Sequence, residues 1–142
     1  MRVTTRGRYG LRAVLKLTLT DRGKPISIRE LSEAEGISPE FLEQIFFRLR
    51  KAGVIKSTRG PGGGFQMLQD PATVSVKDIF DAVGEEISLT PCTSDTDRRA
   101  PCDRETDCLT NRMWVETAEH FNNYFSNITI ADILKKEAAA TA

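Results

Sequence analysis

Between Ser38 and Leu68 the chain reads SPEFLEQIFFRLRKAGVIKSTRGPGGGFQML, and this stretch limits the fold more than any other. Ser38 is a good N-cap, and Pro39 beside it loses no hydrogen bond that a first-turn amide would have made. Leu42, Ile45, Phe46 and Leu49 recur at helical spacing and predict one buried face. Gly53 stops the helix, and β-branched Val54 and Ile55 open a strand. The run Arg59-Gly60-Pro61-Gly62-Gly63-Gly64 is a loop, with Phe65 to Leu68 as the returning strand. RGPGGG is no nucleotide loop, because it lacks the Lys-Ser/Thr ending and joins two strands instead of opening a helix.

What precedes this unit completes a motif. Ser27-Ile28-Arg29-Glu30 is a capping box that opens a short helix ending near Gly36. Two short helices joined by about three residues, with a glycine in the joint, are the signature of a helix-turn-helix. The hairpin behind them makes it a winged one, preceded by a first helix over 7–21. The expected architecture is mostly α with a small β-hairpin wing, a winged helix-turn-helix over 1–70. A helix of this size fits the major groove of double-stranded DNA, and a basic hairpin tip suits the neighbouring backbone or minor groove.

Charge points the same way. Over the whole 142 residues it cancels, but residues 1–70 hold 13 Lys and Arg against 7 Asp and Glu, and residues 71–142 hold the reverse. A basic front and an acidic back predict that only the front faces a polyanion. No apolar run approaches the roughly 20 residues that span a bilayer, and MRVTTRGRYG has no apolar secretion segment. A cytoplasmic protein without membrane contact is expected.

On the second helix of the motif the outward positions are Glu40, Glu43, Gln44, Phe47 and Lys51. Gln44 can read adenine through its amide, and Glu43 can accept from a cytosine amine. Phe47 is odd on this face: it can touch a thymine methyl or fold back onto the core, and the second is expected. Arg59 suits a narrow minor groove, and Arg48, Arg50, Lys51 and Lys56 suit phosphates. Arg2, Arg6, Arg8 and Arg12 crowd the start of the first helix against its dipole, so phosphate contact and simple solvation both remain open for them.

The second half, 71–142, divides differently. Ser75-Val76-Lys77-Asp78 caps a helix stopped by Gly84, and a polar, cysteine-bearing loop follows over about 85–110. A long helix begins near Thr110. Its face of Trp114, Ala118, Phe121 and Phe125 is more aromatic than one small domain needs, which predicts pairing with a second subunit. Thr129 caps a last short helix through Leu134, with a frayed EAAATA end.

Cys92, Cys102 and Cys108 form C-x9-C-x5-C. This differs from the CxxC pairs of structural zinc sites, so a zinc-binding DNA-binding module is disfavoured. Three thiolates on one loop could hold an iron–sulfur cluster, and free thiols or a cluster-free thiol/disulfide redox regulator are the alternatives. His120, the one histidine, lies far along the last long helix, so no catalytic constellation is expected and the chain reads as no enzyme.

The segments MRVTTRGRYG, GIS-x-x-FLEQIF-x-RLRKAG, RGPGGGF, CLT-x-x-x-W and NNY-x-x-NITIADIL, in this order over about 1–135, resemble the IscR/NsrR-type winged-helix iron–sulfur transcription regulators. That family includes iron–sulfur assembly repressors and nitric-oxide sensors. The resemblance implies a homodimer with a crossed dimerisation helix on a pseudo-palindromic operator, controlling iron–sulfur assembly or redox-stress genes. It implies base reading by Glu43 and Gln44, minor-groove entry by Arg59, and cluster ligation by Cys92, Cys102 and Cys108. Where family members carry a histidine three residues past the last cysteine, this chain has Asn111, and Arg8 stands where others place an acidic ligand. Asn111, Asp107, Asp103 and His120 are therefore the candidates for the fourth ligand. A [2Fe–2S] cluster is the first expectation and [4Fe–4S] the alternative.

Overall fold

A computed structural model describes residues 2–20, 23–94 and 102–142. The chain order is α1 (Thr5–Thr20), α2 (Ile28–Glu35), α3 (Pro39–Lys51), β1 (Ile55–Thr58), β2 (Gly64–Met67), α4 (Val76–Val83), a 3-10 turn (Pro91–Thr93), α5 (Asn111–Asn127) and α6 (Ile130–Thr141). The expected end of the first helix at Asp21 and the middle of the cysteine loop fall outside the described residues.

Local chemistry accounts for the helix boundaries. The Ser27 hydroxyl accepts from the Glu30 amide while the Glu30 carboxylate accepts from the Ser27 amide, and Gly36 closes α2 at φ 64°. Those bonds hold the Glu30 carboxyl below its ordinary range, the backbone bond to Ser27 contributing most. Ser75–Asp78 and Thr129–Asp132 repeat the reciprocal cap on α4 and α6. α1 begins two residues before the predicted Gly7, because the Thr4 hydroxyl accepts from the Gly7 amide at 3.3 Å and so caps it. α6 also runs past Leu134 to Thr141, since the alanines that looked frayed have the highest helix propensity of any residue.

Leu42, Ile45, Phe46 and Leu49 of α3 are each at most 1% exposed, and they meet Ala13, Val14 and Leu17 of α1 and Leu31 of α2 in one core. That core does not stop at residue 70. Val74, Ile79, Val83 and Ile130 belong to it, and on either side of the Ser75–Thr129 bridge the Val76 amide donates to the Ile128 carbonyl and the Ile130 amide to the Val74 carbonyl, each at 2.9 Å. The wing is an antiparallel pair with Ile55 opposite Met67 and Thr58 opposite Gly64. Ile26 adds a third segment, exchanging two backbone bonds with Phe65 at 2.8 and 3.0 Å. The Phe65 ring lies 4.9 Å from that of Phe46, so the wing is anchored to the core side of α3.

No helix among the described residues is long and apolar enough to cross a membrane.

Candidate nucleic-acid interface and cysteine site

The outer face of α3 is open along its whole length. Glu40, Glu43, Gln44, Phe47 and Arg48 line one shallow furrow, and Lys51 continues the exposed face toward the C-terminus. One expectation is corrected here. Phe47 is 58% exposed and does not fold back, because Phe46 and Ile45 already fill the inward positions of that turn. Arg50 extends toward the wing and donates to the Ser57 hydroxyl at 3.3 Å, while Lys56 and Arg59 stand exposed on the wing itself. Polar side chains and a cation thus share the furrow on α3, and Arg50 ties that helix to the basic wing, an arrangement suited to a groove flanked by phosphates.

The arginines at the start of α1 divide. Arg12 is committed internally, bonding the Glu35 carboxylate at 3.0 and 3.2 Å and the Glu35 carbonyl at 2.7 Å, which ties α1 to the end of α2. Arg6 reaches the Gly84 carbonyl at 3.4 Å, a cation set at the C-terminal end of α4. Arg2 and Arg8 are exposed.

Sequence reasoning missed Glu85. This carboxylate is 5% exposed and accepts from the Thr4 amide at 2.9 Å and from the Thr4 hydroxyl. It fits because Gly7 lacks a side chain; a Cβ there would lie 2.7–2.9 Å from the Glu85 side chain. The cysteine loop therefore begins at a point pinned to the N-terminus of α1. A glutamate directly after a helix-stopping glycine reads as a solvated loop residue, and only the fold shows otherwise.

The three thiols are free and sit in different settings. Cys92 lies in the 3-10 turn, 3.0 Å from the Thr90 hydroxyl, and that turn packs against α5. Cys102 is exposed. Cys108 stands just before α5, with its Sγ 3.2 Å from the Thr110 hydroxyl. That side-chain bond chiefly, then the Thr110 and Asn111 amides and Arg104, holds its thiol below the ordinary cysteine value. Among the described residues no three Cys, His, Asp or Glu side chains gather into one metal-sized group. As donors, three sulfurs, one already biased toward thiolate, suit iron or an iron–sulfur cluster.

α5 presents two apolar sides. Ala118 is buried and the Phe125 ring meets Phe80 of α4 at 5.3 Å, so these two predicted dimer residues pack within the chain. The adjoining side exposes Met113 (48%), Phe121 (38%) and Tyr124 (59%), which with Thr117, His120 and an edge of Phe125 line an open groove.

A sequence profile of the Rrf2 family, described as iron-dependent transcriptional regulators, matches residues 3–136. The chain belongs to the Rrf2 family. IscR of Vibrio vulnificus is 36% identical over 134 residues, covering 94% of this chain and 77% of that protein. IscR of Klebsiella pneumoniae is 34% identical, with 96% and 82% covered. Among solved structures, T. potens IscR aligns over all of this chain and 92% of its own, with TM-score 0.78 and 28% identity. CymR, the global cysteine regulator of B. subtilis, aligns over 96% and 98% with TM-score 0.74 and 25% identity. Their fold is the winged helix expected from Ser27 to Leu68. As a member of the Rrf2 family the chain is a DNA-binding transcriptional regulator, and its relatives are regulators, not enzymes.

Proposed function

We propose that this Rrf2 regulator binds a pseudo-palindromic operator as a cytoplasmic homodimer and that an iron–sulfur cluster on its cysteine loop sets its affinity. The observation that carries this reading is the placement of the loop. It starts at Glu85, bonded to α1, and ends at Cys108, at the head of α5. The ligands would be Cys92, Cys102 and Cys108, and the group would supply a redox- and oxygen-sensitive link between them. Of the fourth-ligand candidates, Asn111 and Asp107 are nearest Cys108 in sequence, and Asp103 is exposed beside Cys102. His120 stands nine residues beyond Asn111, about 13 Å along the helix axis. A [2Fe–2S] cluster is preferred over [4Fe–4S]. The targets proposed are genes of iron–sulfur assembly or redox stress.

Iron and sulfide content with an absorption spectrum, on protein purified without oxygen, tests the cluster. Operator binding by apo and loaded protein tests the coupling, and equal affinities would defeat it. Cys102 and the thiolate-biased Cys108 favour one second reading, a thiol/disulfide regulator, alongside the likeness to an oxidised form of CymR from Staphylococcus aureus. Iron-free protein that resists reconstitution but changes operator affinity on oxidation would select it.

In this reading Glu43 and Gln44 contact bases, Arg59 enters the minor groove, and Arg48, Arg50, Lys51 and Lys56 hold phosphates. Gln44→Ala should remove roughly 1–3 kcal/mol of discrimination per half-site while leaving non-specific binding nearly intact. Lys56→Ala should weaken binding to all sequences and flatten the log–log salt slope by about one. Titrations of operator and scrambled duplex at several salt concentrations separate the two.

The exposed side of α5 is the proposed dimer face. Placing a carboxylate there with Phe121→Glu should raise the dimer dissociation constant by roughly 100-fold or more. Sedimentation equilibrium reads this directly, and an unchanged mass distribution would move the interface elsewhere.

A further inference from the structure

Phe47 lies three residues beyond Gln44 and four beyond Glu43, so all three share the outer face of α3. The helix has no packing use for it: Leu42, Ile45, Phe46 and Leu49 complete the buried stripe. Its ring forms no aromatic pair among the described residues, although Phe46 beside it does. A large ring is thereby held more than half exposed in the middle of a furrow whose other walls are Glu40, Glu43, Gln44 and Arg48. In water that exposure has no return, and opposite a base edge it has one.

We propose that Phe47 is a specificity-determining residue that reads thymine through its C5-methyl group. The inference rests on the reading that α3 enters the major groove. Phenylalanine offers neither donor nor acceptor, so among base edges in that groove only the thymine methyl gives it a favourable contact. The cytosine amine and the purine N7 would each lose water against the ring without gaining a partner. Phe47 stands about 4.5 Å along the helix axis from Gln44, comparable to the roughly 3.4 Å spacing of successive base pairs. A helix aligned with the groove would then place an adenine contact and a thymine contact on the same or adjacent base pairs. The neighbouring carboxylates sharpen the choice, since Glu40 and Glu43 are repelled by the backbone and must themselves face base edges.

The test is selection of bound duplexes from a randomised pool by the full chain, by Phe47→Ala, by Phe47→Leu and by Gln44→Ala. The selected thymine is then replaced by deoxyuridine, which removes only the methyl group. Wild-type protein should lose about fourfold in affinity per half-site on that replacement, the worth of one buried methyl. Phe47→Ala should show no such penalty and no thymine preference at that position, and Phe47→Leu should retain part of both. The urea midpoint of Phe47→Ala should stay close to that of wild type, because the ring is more than half exposed and belongs to neither hydrophobic cluster. If Phe47→Ala keeps the thymine preference and the uracil penalty while Gln44→Ala alters selection, α3 reads DNA but Phe47 does not, and the proposal fails. If neither variant alters selection, the placement of α3 in the groove fails and takes the proposal with it. Weaker binding to every sequence alike would make Phe47 a packing contact and overturn it as well.

Discussion

Gly64→Ala is expected to cost roughly 3 kcal/mol of stability and to detach the wing from the segment that opens α2. Gly64 adopts φ +152°, and a Cβ there would overlap the backbone carbonyl of Ile26 and lie 2.8 Å from the Ser27 amide. The obstruction is backbone, so no rotamer can relieve it. The residue that follows, Phe65, carries both backbone bonds to Ile26 and the ring contact with Phe46. Losing that seam would free β2 from the helix-turn-helix, and Lys56 and Arg59 would lose their fixed relation to α3. Gly62→Ala is the control. Its φ of +72° carries left-handed strain, but a Cβ meets nothing within 4 Å, so about 1 kcal/mol is expected. Urea denaturation of the two variants measures the difference. Equal midpoints would mean that the Ile26 seam contributes little, and operator binding by Gly64→Ala at wild-type affinity would mean that the wing is dispensable.

Cys108→Ser should lower affinity for the cluster by more than about 100-fold, beyond what loss of an outer-shell partner costs. Cys108 is the thiol whose surroundings already favour the thiolate, through the Thr110 hydroxyl and the amides at the head of α5. Serine keeps the shape but does not ionise near neutral pH. Iron and sulfide per chain after anaerobic purification should fall to background, and operator binding should become that of the apo protein whether or not iron is supplied. The fold should survive, since Cys108 contributes nothing to either buried cluster. A variant that keeps wild-type iron and sulfide would remove Cys108 from the ligand set. One that loses iron yet keeps the loaded protein's operator affinity would break the proposed link between cluster and DNA.

Much of the helical framework could be read without coordinates because its signals are local. The Ser27–Glu30 and Ser75–Asp78 caps, the Ser38-Pro39 start of α3 and the stop at Gly36 each act within four residues. The stripe of Leu42, Ile45, Phe46 and Leu49 is periodic, and burial followed it. Phe47 was misplaced for a related reason. Hydrophobicity predicts burial on average, but the one helix face that reaches the core was already full. The faces of α5 were divided by a similar competition, Ala118 and Phe125 going inward to α4 and leaving Met113, Phe121 and Tyr124 outside.

The sequence by itself determined where α2, α3, α4 and the wing lie, which face of α3 is apolar, and where the basic residues lie. Capping, backbone preference and hydrophobic period are short-range, so a single chain displays them. Only the tertiary structure decided which cations are spent internally. Arg12 is consumed by Glu35 across 23 residues and Arg6 by the Gly84 carbonyl across 78, pairings that no local pattern encodes. It also decided that Glu85 is a buried anchor on Thr4 and that the core crosses residue 70 through Ile130. Such contacts arise when the packing of α1, α4 and α6 closes long loops, and each then depends on shape across the whole core.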